Sequence, residues 1–137
     1  MTNTAYKTAI ATIFAVTLGA AALTEPAQAG GQISIGINAA NSEEAEAINA
    51  GLAIYSIFSE IEGSGITQNG ANNIAGLLQN GAGNYGVVHQ EGNGHNGTLQ
   101  QHGHGNSYGL FQFGKGTEAH VNQTGNGQSG VGFAFGW

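Results

Sequence analysis

The amino-acid sequence predicts a mainly β protein: a two-sheet β-solenoid of about seven short strands with 11-residue half-turns, preceded by one amphipathic helix. Three observations carry this. Glutamine recurs without insertion at Gln68, Gln79, Gln90, Gln101, Gln112 and Gln123, eleven residues apart. Residues between the glutamines alternate with the period of a strand. Positions 22 apart are alike in kind, as stacked turns of a repeat structure require.

Taken in chain order, the first element is a leader. Lys7 gives a weakly positive start, an apolar and small-residue run spans Thr8 to Leu23, and Ala27-Gln28-Ala29 supplies the small-x-small pattern of a cleavage site. Residues 1–29 are read as a secretory signal, and the run is too short and too rich in Ala and Thr for a membrane span. Residues 30–61 form an N-terminal segment unlike the rest. Gln32-Ile33-Ser34-Ile35-Gly36-Ile37 alternates like a short strand. Asn41 followed by Glu44 reads as an N-cap with its reciprocal acid, and Glu43, Glu44 and Glu46 suit a helix N-terminus. Ala45, Ile48, Leu52, Tyr55 and Phe58 then mark one helical stripe, which predicts a helix from about Ser42 to Ile61.

Residues 62–137 are the repeats. Two residues after each glutamine stands a glycine: Gly70, Gly81, Gly92, Gly103, Gly114 and Gly125. Two residues before each stands an aliphatic: Ile66, Leu77, Val88, Leu99, Leu110 and Val121. Five residues after, a polar slot holds Asn73, Asn84, His95, Asn106, Thr117 and Gln128, and two further on is mostly a small residue. The pattern reads as a seven-residue strand followed by a four-residue turn, with glycine where a sharp reversal calls for positive φ. Asn73, Ala75, Leu77 and Gln79 share one parity and so one strand face.

Such strands could form an antiparallel meander or a solenoid in which strands 22 residues apart stack in parallel. Slot identity favours the solenoid. Stacking at 22 places Gln79 on Gln101 on Gln123 and Leu77 on Leu99 on Val121, and buried amides are costly unless hydrogen-bonded along such a ladder. Tyr108, the one bulky residue in the small inward slot, would then lie between Gly86 and Gly130, the smallest possible neighbours.

Composition sets further bounds. Gly is 25 of 137 residues, charged residues make up 7%, Pro occurs once and Cys not at all, so no disulfide staples the secreted chain. Acidic residues gather before the repeats; from residue 63 onward only Glu91, Lys115 and Glu118 are charged, and few like charges oppose packing copies side by side. Nucleic acid, which needs clustered Lys and Arg, is excluded as a partner. His102 and His104 fall in a turn, and His89 and His120 face outward on opposite sheets, so solvated positions are preferred over a metal site. No phosphate-cradling loop or cofactor site is present at the right spacing, and calcium-binding nonapeptide repeats need Asp, which the chain lacks. Ser107 and Ser129 are placed on an exposed strand face, away from any triad, so no enzyme is expected.

The consensus Gln-x-Gly-x-x-Asn-x-Ala-x-x-x-Gln, unbroken from Gln68 through Gly70, Asn73 and Ala75 to Gln79, resembles the curlin repeat of bacterial curli fibres. It recurs from Gln79 to Gln90 with Gly81, Asn84 and Gly86. Later units depart: His95, Thr117 and Gln128 replace Asn, Tyr108 replaces Ala, and Glu62 stands where the family carries Ser. The likeness covers residues 62–137. It implies a subunit of an extracellular amyloid fibre that serves adhesion and biofilm matrix, with itself and related curlin subunits as partners. It also implies passage through the periplasm and a dedicated outer-membrane export machinery to the cell surface. Whether the chain would be the major subunit, the nucleator or an accessory paralogue stays open.

The residues expected to carry function are therefore structural. They are the six glutamines with Asn73, Asn84 and Asn106 as ladders, the six turn glycines, and the stacked core of Ile66, Leu77, Val88, Leu99, Tyr108, Leu110 and Val121. The expected mechanism is templated polymerisation through unpaired edges at both ends of the stack, because Ala134 to Trp137 continue the strand rhythm and look uncapped. The alternatives are a secreted monomeric factor that modulates fibre assembly, or a ligand-binding solenoid. One outer face would expose Tyr85, Val87, Phe111, Val131 and Phe133, and the helix is expected to cover it.

Overall fold

The structure, a computed structural model of the 137-residue chain, describes residues 31–59 and 64–137, apart from the side chains of residues 57–59. The signal segment 1–29 and the junction 60–63 lie outside the described residues. The elements in order are β1 (Gln32–Asn38), α1 (Ser42–Ser59), β2 (Gly65–Asn69), β3 (Ile74–Asn80), β4 (Tyr85–Asn93), β5 (Asn96–His102), β6 (Ser107–Lys115), β7 (Glu118–Thr124) and β8 (Ser129–Gly136).

Glycine shapes each corner of the repeat. Gly70, Gly81, Gly92, Gly103, Gly114 and Gly125 hold φ between 91° and 129°, a region essentially closed to L side chains. Two residues on, Gly83, Gly94, Gly105, Gly116 and Gly127 hold φ between 63° and 73°, and Asn72 takes that place in the first unit at 59°. That second region admits Asn, and the first does not. Every second strand therefore lands in the same sheet. One sheet has the order β1-β8-β6-β4-β2 and the other β3-β5-β7. The repeat strands β2 to β8 pair in parallel at a register of 22, with Leu77 beside Leu99 beside Val121 and Val88 beside Leu110. The two-sheet β-solenoid is thus the fold, and Tyr108 does lie between Gly86 and Gly130. A Cβ at Gly130 would sit 2.5 Å from the Tyr108 ring, so the glycine makes the room the phenol occupies.

Two apolar layers hold the molecule. Between the sheets, Val88, Leu99, Tyr108 and Leu110 are buried, with Ala75, Leu77, Ala119 and Val121 packed on them. Outside the five-stranded sheet, Ile48 and Leu52 of α1 bury Phe111 and Val131, flanked by Tyr55, Tyr85 and Phe133. The helix starts as its sequence predicts. Asn41 Oδ1 accepts from the Glu44 amide at 2.9 Å, and the Glu44 carboxylate turns back to Asn41 Nδ2 and the Ala40 amide. Gly109 admits the helix: a Cβ there would meet Leu52 at 2.4 Å. The aromatic face is therefore covered, as its exposed apolar pattern required.

Several expectations need correction. Ile66 and Gln68 sit on the outermost strand, so Ile66 is 42% exposed and not part of the buried core. β4 and β6 run nine residues, through their corner glycines Gly92 and Gly114, because identical turns also hydrogen-bond from rung to rung. His102 is the last residue of β5 and not a turn residue. Ser129 is buried beneath α1, where its hydroxyl donates to Asn49 Oδ1 at 3.1 Å. The largest correction concerns the C-terminal end, which is not uncapped. β1 pairs antiparallel with β8 along its whole length, from Gln32 beside Gly136 to Asn38 beside Gly130.

Candidate functional site: the amide ladders and the two ends of the stack

Parity turns each glutamine inward, and the 22-residue register puts like on like. In the five-stranded sheet Gln68 Nε2 donates to Gln90 Oε1 at 2.8 Å, and Gln90 to Gln112 at 2.7 Å. In the three-stranded sheet Gln79 donates to Gln101 at 2.7 Å, and Gln101 to Gln123 at 2.8 Å. Four of the six amides also reach across the core to the opposite sheet: Gln90 to the Ile74 carbonyl, Gln101 to Tyr85, Gln112 to Asn96 and Gln123 to Ser107, at 2.8–3.1 Å. Both sheets are thus tied along and across the axis by one residue type. The opposing small slot makes this fit: a Cβ at Gly97 would lie 2.1 Å from Gln112 Oε1. Burial is complete for Gln90, Gln101 and Gln112, and among the described residues no buried side-chain polar atom lacks a partner.

The asparagines act differently from the expected side-chain ladder. Asn73, Asn84 and Asn106 each donate to a corner carbonyl one rung on, Gly92, Gly103 and Gly125 respectively, at 2.8–2.9 Å. Each also accepts the backbone N–H of the next slot residue, His95, Asn106 or Gln128, at 3.0 Å. They staple corner to corner through the main chain. Between His95 and Thr117 a side-chain pair joins the slots as well, with His95 Nδ1 2.7 Å from Thr117 Oγ1 and 3.3 Å from the Thr117 amide nitrogen.

The two ends are unlike. At the N-terminal end no strand among the described residues pairs with the outer edges of β2 and β3, and Ile66, Ile74 and Leu78 are exposed. Their ladders begin with the Oε1 atoms of Gln68 and Gln79, which accept from no donor among the described residues. At the C-terminal end the period fails. Gly132 stands in the aliphatic slot and Ala134 in the glutamine slot. Gln112, with no amide above it, donates to Thr117 Oγ1 at 2.9 Å, which closes that ladder. β1 then covers β8. The Gln32 amide imitates a peptide unit toward the start of β7, accepting the Glu118 N–H at 2.5 Å and donating to its carbonyl at 2.7 Å. Beyond Glu118 the β7 edge stays open beside a cleft of about 530 Å³ between His120, Asn122 and Gln123 on one side and Asn38 and Ala39 on the other. The phenol of Tyr108 lines the cleft, and burial pushes its pKa up from the ordinary tyrosine value.

The structure thus brings together the predicted glutamines, glycines and core residues, with Ile66 and Gln68 left at the open edge. Gln32 and Thr117, which finish the C-terminal end, were not anticipated as functional; the break in pattern at Gly132 and Ala134 was the signal that could have found them. Among the described residues, no three histidine or carboxylate side chains converge on a metal position. His89 instead meets the Tyr55 hydroxyl at 2.6 Å beneath α1. Comparison with family models, curated proteins and solved structures finds no match for the chain. What the fold and its ends define is a class, a two-sheet β-solenoid whose C-terminal end is covered by β1 and whose N-terminal end is open among the described residues.

Proposed function

We propose that this chain is a structural subunit of an extracellular curli-like amyloid fibre, secreted to the cell surface and self-assembling by end-on stacking of its solenoid. The observation that carries the reading is the pair of in-register glutamine ladders running to an N-terminal edge that no strand among the described residues covers. Unpaired strand groups there can template another strand, and the nearly uncharged repeat block opposes stacking little. The curlin-like units from Gln68 to Gln90 support partners of the same repeat type and export through a dedicated outer-membrane pore. Adhesion and biofilm matrix follow as the roles such a fibre serves.

The purified mature chain should polymerise, raise thioflavin fluorescence, and give fibre reflections at about 4.7–4.8 Å and about 10 Å. A chain that stays monomeric for days at high concentration, without those reflections, is not a fibre subunit. One observation favours a second reading, a secreted accessory factor that modulates assembly: β1 covers the end to which a following copy would add. An accessory factor would change the length or onset of another chain's fibres while forming none alone.

A further inference from the structure

The covered end poses a physical problem for end-on stacking. β8 is the strand onto which β2 of a following copy would pair in parallel, in the register β2 already uses on β4. β1 sits there, running the opposite way. An antiparallel strand cannot continue the 22-residue register, and β1 carries no glutamine over the ladder position. Its residue beside Ala134 is Ser34.

β1 is also built to come away. Its outer residues Ile33, Ile35 and Ile37 are only half-buried. Its inner residues Gln32, Ser34, Gly36 and Asn38 are exposed, because the three-stranded sheet ends at β7 and no strand lies opposite. Ala39 to Asn41 tether it to α1, which stays docked through Ile48 and Leu52 on its own contacts with Phe111 and Val131. Leaving β8 therefore takes Ile37 from the rim of the outer layer but keeps Ile48, Leu52, Phe111 and Val131 together, and the layer between the sheets is untouched.

We infer that β1 is a latch: it closes the C-terminal end of the folded monomer, and the junction between copies forms only after β1 leaves and β2 of the next chain takes its place on β8. The inference rests on the fibre reading and adds what controls it. In the junction, Ile66 and Gln68 of the incoming strand fall beside Gly132 and Ala134, small inward residues of β8 that leave room for them. The exposed Ile66 gains its cover at that step.

A reversible lock tests this in the full mature chain. Gly31 and Trp137 exchange both backbone hydrogen bonds at 3.1 Å, so alternation makes Ser34 and Ala134 a non-hydrogen-bonded pair, with Cα atoms about 4.5 Å apart. That span admits a disulfide, and the chain has no other cysteine. The double variant Ser34→Cys, Ala134→Cys should stay monomeric when oxidised and polymerise once reduced. A second arm works in the opposite direction. Ile35 lies on the side of β1 whose N–H groups bond β8, and Gly36 does not. Ile35→Pro should shorten the lag by roughly two- to tenfold, the factor for one ladder hydrogen bond, while Gly36→Pro should leave it nearly unchanged. Trp137, the one tryptophan, packs on Gly31, so its emission should change with release before fibres appear, and in the oxidised variant should not change. If oxidised and reduced protein polymerise at the same rate, the latch is wrong and the fibre reading stands. If neither they nor the wild type polymerise, both fall.

Discussion

Gly103→Ala should cost the folded chain at least about 3 kcal/mol, while Gly105→Ala, two residues on in the same corner, should cost only about 1–2 kcal/mol. Both glycines have positive φ, so both substitutions carry backbone strain. They differ in what a methyl group meets. At Gly105 there is no atom within 4 Å, and φ of 66° is a left-handed value that L residues reach at modest cost. At Gly103 φ is 116°, and the new carbon would lie 1.9 Å from the Gly125 carbonyl oxygen of the next turn. Backbone cannot move aside as a flexible side chain can. The rungs must part there, and the corner hydrogen bonds between them, including Gly125 N–H to the His102 carbonyl at 2.9 Å, go with them. Urea denaturation of the monomeric variants measures the difference. Equal losses at the two positions would mean that the corners are not in stacked contact.

Gln101→Ala should cost on the order of 4 kcal/mol, and Gln100→Ala less than about 0.5 kcal/mol. The two are neighbours in sequence on opposite faces of β5. Gln100 is exposed, whereas Gln101 is fully buried. Removing the Gln101 amide takes an acceptor from Gln79 and a donor from both Gln123 and the Tyr85 carbonyl, around a side chain that is itself fully buried. Each buried group left without a partner costs about 1–3 kcal/mol, and the lost volume adds a cavity. Gln101→Met separates the two contributions, since it restores volume without hydrogen bonds and should recover only the cavity share. Chemical denaturation again serves as the readout. A methionine variant as stable as wild type would show that the ladder fills space and holds nothing together.

Most of the solenoid was legible because its constraints are local and repeated. A glutamine every eleven residues states parity, strand length and stacking register at once, and Tyr108 between two glycines confirms the register from an independent direction. The N-cap at Asn41 and the helix were legible for the same reason: cap and acid are three residues apart. The end of the stack was not legible. β1 shows its alternation in sequence, but its partner lies about a hundred residues away, and alternation says nothing of which edge a strand will choose. A polar inner face beside an apolar outer one suits an edge with nothing opposite, and only the count of strands in each sheet reveals that such an edge exists. The corner staples were missed for another reason. Asn in a ladder slot has the reach for side chain or main chain, and the shorter path to the next corner carbonyl wins.

That strand count has a consequence for periodicity. The repeats place four strands in one sheet, β2, β4, β6 and β8, and three in the other, β3, β5 and β7. A filament of such subunits joined β8 to β2 is continuous along one flank and interrupted along the other, where a strand-wide notch beside β7 recurs once per molecule. Each molecule then advances by four strand spacings, about 19 Å. Cross-β polymers of uniform rungs diffract only at the spacing of single strands. This one should carry a superlattice, with a weak meridional layer line at about 19 Å beneath the strong strand reflection. The edge of β7, with His120 and Asn122, would be displayed in each notch like a rung left out of a ladder.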